Sequence, residues 1–292
     1  MSRPGAIDVG HDEWVSAHLF YQGDQDAVIV DLIPSIMEEL AGGGERPDFF
    51  FLRYWDAGPH VRLRVRAEPA DHDRVRRVVE AGCLAFFRAR PSADTVRQEE
   101  YEKTAAGLAG AEGLPGFTRE LAPNNSVAFI PYRRETRRYG RAAMPAVERH
   151  FVDSSRIALS TLSAGVTPAQ RITAVVAMYL IVWLRLGRST PETGDHDDHF
   201  ARQRDILLPL GRRMRALVEL TGAMPPGDGL AGWAQAVARL QKELDPRSRP
   251  AVMTACAHLA ANRLGVDPLS ERYACDLATR TFLEMGEEER TA

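Results

Sequence analysis

The spacing of hydrophobic residues divides the chain into a first part that contains strands and a second part that is helical. Residues 14–21 form a strand-like apolar run, whereas residues 28–40 repeat apolar positions with the 3.6-residue period of a helix. Residues 49–55 and 60–66 are two more strand-like runs, and the four residues DAGP between them suit a tight turn. The pattern therefore predicts a β-hairpin over residues 49–66.

Helical spacing returns over residues 71–90, and a further strand is predicted at residues 127–132. Between them, residues 105–125 are rich in Gly, Ala, Pro and Asn, a composition that predicts a long loop. The later chain is predicted to form only helices, at about residues 145–163, 168–187, 198–221, 229–243, 248–264 and 268–285. The predicted fold class is α+β. We expect one domain, with a mainly antiparallel sheet and flanking helices over about residues 12–140 and a helical half over about residues 145–285.

Net charge, apolar runs and cysteine spacing indicate which partners and which cellular compartment to expect for this protein. The net charge of -3 gives no reason to expect a nucleic acid. The N-terminus is polar where a signal peptide would be apolar, and the apolar residues 172–184 fall short of the roughly 20 that a membrane span requires. Cys83, Cys256 and Cys275 lack the spacing of a disulfide framework or a zinc site. We therefore expect a cytoplasmic protein with reduced thiols and no membrane contact.

The second strand of the predicted hairpin concentrates basic side chains. Strand alternation places three apolar residues on one face and a basic row on the other, consisting of His60, Arg62, Arg64 and Arg66. An exposed strand would ordinarily mix in acidic or hydroxyl residues, so this row favours an anion site. The alternative is a solvated edge, because all but two of the 37 basic residues are arginine and clusters arise by chance. Arg53, on the first strand, joins the site if the register allows.

Two later segments carry further candidates. Residues 132–140, YRRETRRYG, hold Arg134, Arg138 and Tyr139, and their spacing fits a solvated turn as well as a site. His258 and Asn262 lie one turn apart and would share a face of a helix. A lone histidine on a helix is most often structural, so a catalytic role for His258 needs further support.

The segment GDHDDHF, residues 194–200, resembles a metal site in composition because two histidines lie among three carboxylates. It is interpreted more simply as a polar loop that leads into a helix capped near Asp197. The chain contains no Walker A loop, Rossmann GxGxxG, HExxH or GxSxG motif. We therefore expect chemistry that needs no metal, nucleotide or other cofactor.

Five segments, taken in order, resemble the C-terminal domain of lantibiotic dehydratases, which in its stand-alone form is the thiopeptide-type bacteriocin biosynthesis protein. They are WVSAHLFY, FFFLRYWDAGPHVRLRVR, NNS followed by YRRETRRYG, ERHFVDSS and HLAANRLG. The resemblance runs over nearly the whole chain. It implies elimination of glutamate from glutamylated Ser and Thr of a ribosomally made precursor peptide, which leaves dehydroalanine or dehydrobutyrine. A separate glutamyl-tRNA-dependent protein would attach the glutamate.

The resemblance also assigns roles to residues. The functional arginines of the family match Arg62 and Arg64 in the hairpin and Arg134 or Arg138 in the YxRExxRYG motif, and its late histidine matches His258. The expected catalytic residues are His258, Arg62, Arg64 and Arg138, and the expected substrate-binding residues are Arg53, His60, Arg134, Tyr139 and Asn262. The chain departs from the family at Arg141, where the family has a glycine, and it has no clear counterpart of the serine that shortly precedes the late histidine.

Two other functions stay open. Some stand-alone members of the family resemble pyridine synthases, which join two dehydroalanines in a formal [4+2] cycloaddition and expel the leader peptide. The arginine hairpin favours elimination, because cycloaddition has no glutamate to hold. A peptide-binding scaffold without catalysis would tolerate Arg62→Lys. The sequence leaves a homodimer open.

Overall fold

The computed structural model describes residues 13–111, 113, 115–188, 197–223, 225 and 227–291. The chain divides into two compact units, Met1–Arg134 and Glu135–Ala292. Within the described residues, the first unit holds a four-stranded antiparallel sheet with helices, and the second unit is helical. The predicted α+β class is confirmed.

The sheet of the first unit has the strand order β2-β3-β1-β4. Its strands are β1 (Trp14–Phe20), β2 (Phe49–Tyr54), β3 (His60–Arg66) and β4 (Ser126–Phe129). The helical segments are α1 (Gln25–Ala27), a π-helical turn (Val28–Leu32), α2 (Ile33–Ala41), a 3-10 turn (Pro69–Asp71), α3 (His72–Ala89) and α4 (Gln98–Ala111). The predicted hairpin is confirmed as β2 and β3, and β3 lies between β2 and β1.

The helix α4 corrects the prediction of a loop over residues 105–125. Tyr101, Ala105 and Ala109 are buried at intervals of four residues, so one face of α4 packs against the rest of the unit. Alanine is the strongest helix former, and its abundance in this segment outweighs Gly107 and Gly110. The part of the predicted loop up to residue 111 is therefore helical.

Over the residues that the structure describes, the second unit contains one short helix and six long ones. They are α5 (Thr136–Tyr139), α6 (Met144–Ser163), α7 (Pro168–Leu186), α8 (Asp197–Leu220), α9 (Gly229–Glu243), α10 (Arg249–Arg263) and α11 (Pro268–Thr291). The six long helices confirm the prediction from hydrophobic spacing, although α11 continues beyond residue 285. The short α5 was not predicted, because four residues are too few to show a helical period.

The helix α7 is the central element of this unit. It contacts α8, α9, α10 and α11, and every residue from 175 to 183 is buried. Thr167 and Gln170 form a capping box that fixes its start. Among the described residues α7 is the one helix long and apolar enough to cross a membrane, but its contacts are those of a core helix.

The three cysteines are free thiols. Cys83 and Cys256 are buried, and burial raises the pKa of each to about 12. Cys275 is half-buried. The two buried thiols therefore act as small core side chains.

The backbone carbonyl of Gly227 closely approaches Gly232 in the first turn of α9, and the replacement of Gly232 tests this approach. A Cβ atom on Gly232 would lie 2.2 Å from the carbonyl oxygen of Gly227 and 3.5 Å from Ile157. We expect Gly232→Ala to lower the free energy of unfolding by about 1–3 kcal/mol. Gly107→Ala is the control, because its added Cβ meets nothing within 4 Å and alanine favours a helix. Equal urea midpoints for Gly232→Ala and the wild type would contradict the close approach of the Gly227 carbonyl to Gly232.

Candidate functional site

One face of the sheet in the first unit carries the basic row of β3, and we call it the arginine face. Residues directly opposite each other in an antiparallel pair share a face. His18 lies opposite Arg62, and Ser16 lies opposite Arg64. The remaining members from neighbouring strands are Trp14, Phe20, Phe50, Leu52, Tyr54, Ser126 and Ala128. The face therefore combines guanidinium groups with aromatic rings and histidines.

Arg62 is held by an aromatic ring and a histidine. Its Cζ atom lies 3.3 Å from the centroid of the Tyr54 ring. Its Nε donates a hydrogen bond to Nε2 of His60 at 3.3 Å, and Nδ1 of His60 lies 2.8 Å from the carbonyl oxygen of Gly58. His60 therefore carries its proton on Nδ1 and accepts from Arg62. These contacts fix the plane of the Arg62 guanidinium.

Arg64 lies deeper in the same face. The residue is 6% exposed, and its Cζ atom lies 5.8 Å from the Phe50 ring centroid and 5.5 Å from that of Tyr132. Cation–π attraction offsets part of the cost of removing a guanidinium from water. Two aromatic rings therefore help to position the Arg64 guanidinium.

The two histidines of the arginine face are neutral. His18 stacks on His60 with ring centroids 4.9 Å apart. Burial, reinforced by Arg64, lowers the pKa of His18 to about 2. Burial also lowers the pKa of His60 to about 3, against the hydrogen bond to Gly58. The positive charge of this face therefore belongs to its arginines.

Two arginines of the hairpin differ from Arg62 and Arg64. Arg66, at the end of β3, is exposed and lies 3.6 Å from Glu13 and 3.9 Å from Asp48. Arg53 lies opposite Val61, so its side chain belongs to the other face of the sheet. There its Nη2 lies 2.5 Å from Oδ1 of Asp26. The expectation that Arg53 joins the arginine face is wrong, because neighbouring residues of a strand point to opposite faces.

The YRRETRRYG segment is divided between the two units. Arg134, in the first unit, keeps 18% of its side chain exposed and lies 3.5 Å from Glu13. Arg138, in the second unit, is half-exposed and lies 3.8 Å from Glu135. Tyr139 is buried against Phe151, and burial raises the pKa of its hydroxyl. The assigned roles of Arg134, Arg138 and Tyr139 stay predictions.

In the second unit three helices bring together His258, Glu271 and Tyr179, which we call the His258 cluster. Nδ1 of His258 in α10 lies 2.8 and 2.9 Å from the two carboxylate oxygens of Glu271 in α11. The Tyr179 hydroxyl in α7 donates to Glu271 Oε1 at 2.7 Å. The side chain of His258 is 45% exposed, whereas that of Glu271 is 10% exposed. Asn262, one turn further along α10, is half-buried.

A buried arginine joins two of the segments that carry the family resemblance. Arg263, in HLAANRLG, is fully buried, and its Nε donates to Oγ of Ser155, in ERHFVDSS, at 3.0 Å. Its Cζ atom lies 5.2 Å from the Phe151 ring centroid. The two segments are distant in sequence but meet where α6 packs against α10.

Sequence reasoning missed three residues of these sites. His18 could have been found, because alternation along residues 14–20 places it on one face with Ser16. Glu271 and Tyr179 gave no signal, since they lie in other helices than His258 and no spacing rule links them.

The predicted alternative of a metal site at residues 194–200 lies partly outside the described residues, which do not include Asp195 and His196. Within the ranges that are described, no three His, Cys, Asp or Glu side chains come together as a metal site would require.

Comparison with known proteins identifies relatives over most of the chain. The sequence model of the family described as lantibiotic biosynthesis dehydratase, C-terminal, matches residues 14–282. The solved structure of TbtD, a pyridine synthase from thiomuracin biosynthesis, is similar with a TM-score of 0.72 at 20% identity, over 92% of this chain and 97% of that chain. No curated protein sequence matches.

Two further solved structures share the fold. The tRNA-dependent lantibiotic dehydratase MibB from Microbispora sp. 107891 has a TM-score of 0.59 at 18% identity, over 99% of this chain and 29% of MibB. TsrL has a TM-score of 0.56 at 18% identity, over 94% of this chain and 95% of that chain. At these identities the similarity shows a common fold.

The neutral histidines predict sensitivity to acid. The pKa of His18 is about 2 in the folded protein and about 6.5 in an unfolded chain, so its stabilising effect is complete above pH 6.5 and is lost as the pH falls. Between pH 6.5 and pH 5 this one residue accounts for a loss of about 2 kcal/mol. We measure the free energy of unfolding in urea at pH 6.5 and at pH 5. We expect it to fall by about 2 kcal/mol less in His18→Phe, which keeps the stacked ring, than in the wild type. An identical loss in both proteins would contradict the neutral state of His18.

Proposed function

The chain belongs to the family of lantibiotic dehydratase C-terminal domains, and we propose on that premise that it eliminates glutamate from glutamylated Ser and Thr side chains of a precursor peptide. The products are dehydroalanine and dehydrobutyrine. The chain aligns with 29% of MibB. We propose that a separate glutamyl-tRNA-dependent protein glutamylates the peptide. No bound nucleic acid or metal takes part in the proposed step.

The reaction sets three chemical requirements. A base removes the α-proton of the esterified residue, and the electron pair then expels the ester carboxylate as the Cβ–O bond breaks. Hydrogen-bond donors must stabilise the negative charge that develops on the peptide carbonyl oxygen. Cations must hold the departing glutamate, which carries up to two carboxylates.

The observation that carries the proposal is the pair Arg62 and Arg64 on the arginine face. Aromatic rings lie against both guanidiniums, and the neutral His60 accepts a hydrogen bond from Arg62, so these contacts orient two planar groups whose geometry matches a carboxylate. A guanidinium binds a carboxylate through two parallel hydrogen bonds, which suits the recognition of glutamate. We assign Arg62 and Arg64 to this role, with His60 orienting Arg62.

The second unit supplies a residue suited to proton transfer. His258 has one ring nitrogen bound to a carboxylate and an imidazole that is 45% exposed. An imidazole oriented by a carboxylate in this way is suited to general acid–base catalysis. We assign His258 as the base, Arg138 as a donor to developing charge, and Arg134, Tyr139 and Asn262 to substrate binding.

A second candidate function is the pyridine synthase reaction, a formal [4+2] cycloaddition of two dehydroalanines with expulsion of the leader peptide. One observation favours it: this chain and TbtD align over nearly their whole lengths, whereas the chain matches only a part of MibB. Elimination accounts better for the arginine pair, because the cycloaddition releases no glutamate.

Binding of free glutamate tests the role assigned to the arginine pair. We expect titration calorimetry to detect glutamate binding to the wild type. The affinity for glutamate should fall about 10-fold or more in Arg62→Lys, because lysine cannot reproduce the two parallel hydrogen bonds of a guanidinium. Arg46→Ala is the matched control, since Arg46 is an exposed arginine of the same unit that pairs with Glu38. An unchanged affinity for Arg62→Lys would remove the recognition role.

A reconstituted reaction tests the chemistry. With the glutamylating protein and a precursor peptide, we expect His258→Ala and Arg64→Ala to accumulate peptides that still carry glutamyl groups, because esterification occurs elsewhere and only elimination is blocked. Mass spectrometry detects these adducts, and Arg46→Ala should give fully dehydrated peptide.

The opposite result would identify the second candidate. If dehydroalanines form without this protein, and its addition releases a leader peptide from a macrocycle, then elimination is wrong and cycloaddition replaces it.

A further inference from the structure

We propose that Glu271, held by Tyr179, is a positioning residue that keeps the proton of His258 on Nδ1 and presents Nε2 as the atom that accepts the α-proton. The inference deepens the function proposed above and rests on it. It concerns two residues that the family resemblance does not single out, and it names the ring nitrogen that reacts.

The two short contacts of Nδ1 determine the tautomer. Both oxygens of Glu271 lie within 2.9 Å of Nδ1 of His258. An ionised carboxylate only accepts hydrogen bonds, so Nδ1 must carry the proton. A neutral His258 then has its lone pair on Nε2. Without a partner an imidazole exchanges between two tautomers, and only one of them leaves Nε2 able to accept a proton.

Three features hold the Glu271 carboxylate in place. The Tyr179 hydroxyl donates to Oε1, the same oxygen that lies 2.8 Å from His258. Burial, reinforced by the Glu271 charge, raises the pKa of Tyr179, so the phenol keeps the proton that it donates. Glu271 also lies in the first turn of α11, where the helix dipole favours a negative charge.

Glu271 and His258 differ in solvent exposure, as expected for a buried positioning residue and a base that meets the substrate. The side chain of Glu271 is 10% exposed, so water competes little for its oxygens, whereas that of His258 is 45% exposed. Once His258 has taken a proton on Nε2, the carboxylate stabilises the imidazolium that forms. Glu271 therefore acts on the reaction only through His258, which is the meaning of a positioning residue.

A structural role offers a competing explanation, because Glu271 bridges α7, α10 and α11 and its loss could simply destabilise their packing. Three variants separate the two roles. Glu271→Gln is nearly isosteric and keeps an oxygen that can accept from Nδ1, but it lacks the charge. Glu271→Ala removes the acceptor, and Tyr179→Phe keeps the acceptor but removes one of its supports. Thermal unfolding of each variant reports on stability.

The tautomer can be measured without any activity. In protein labelled with 15N-histidine, long-range 1H–15N spectra distinguish a protonated from an unprotonated ring nitrogen, and His258→Ala assigns the signals. We expect an unprotonated Nε2 in the neutral form of the wild type and of Glu271→Gln, and loss of that preference in Glu271→Ala. A protonated Nε2 in the wild type, or the same tautomer in Glu271→Ala, would overturn the proposal.

Kinetics test the consequence for the reaction, with glutamylated peptide that the partner protein has prepared beforehand. We expect kcat to fall roughly 10-fold in Glu271→Gln and roughly 100-fold in Glu271→Ala, with KM within about 2-fold of the wild type, because only proton transfer is affected. The kcat of Tyr179→Phe should fall less than that of either Glu271 variant. A wild-type kcat in Glu271→Ala, or a change confined to KM, would contradict the positioning role of Glu271.

Different results would contradict the role of His258 as the base and the role of Glu271 as its positioning residue. If His258→Ala eliminates glutamate as fast as the wild type, the proposed base is wrong even where the spectra show the expected tautomer. If His258→Ala is inactive but Glu271→Ala retains its kcat, the base stands and the positioning by Glu271 is wrong.

Discussion

The burial of guanidinium groups on the central strand is the constraint on which the first unit depends. β3 is hydrogen-bonded on both edges, its side chains alternate between the two faces of the sheet, and Arg64 is buried on one of them. A buried cation is tolerated only where other groups compensate for the lost water. Aromatic rings contribute part of that compensation, and the same rings prevent the guanidiniums from reorienting. The arrangement that allows these arginines to be buried therefore also fixes the direction of their donors.

The second unit buries a carboxylate, whereas the first unit buries a guanidinium. Glu271 is buried at the start of a helix, and it is stabilised there by the Tyr179 hydroxyl, by the helix dipole and by the proton on His258 Nδ1. In both units a charged side chain orients a partner histidine. His60 accepts from a guanidinium and donates to a backbone carbonyl, whereas His258 donates to a carboxylate. The tautomer of each ring follows from the charge of its neighbour.

Periodicity predicted most of the fold, because both the helical and the strand repeat are properties of neighbouring residues. The hairpin, the alternation along β3 and the six long helices all follow from it. Two errors have physical causes. Arg53 was expected on the arginine face, but the register that decides its face depends on pairing between strands. The helix α4 was interpreted as a loop, because glycines on its exposed face masked a buried stripe of Tyr101 and alanines. The partners of His258 lie in other helices, and tertiary packing alone brings them together.

The neutrality of His18 and His60 bears on how the arginine face could serve a reaction that produces an anion. A protonated histidine beside Arg62 and Arg64 would repel them and would compete for any carboxylate that approached. Because burial keeps both rings uncharged, the positive charge of the face is concentrated on two planar groups whose donors point in fixed directions. Fixed donors stabilise a developing negative charge without first having to reorient, and this absence of reorganisation is what distinguishes a preorganised site from a merely basic surface. The histidines therefore matter to the chemistry because they contribute no charge, and cationic rings beside Arg62 would add repulsion to a face that already carries two guanidiniums.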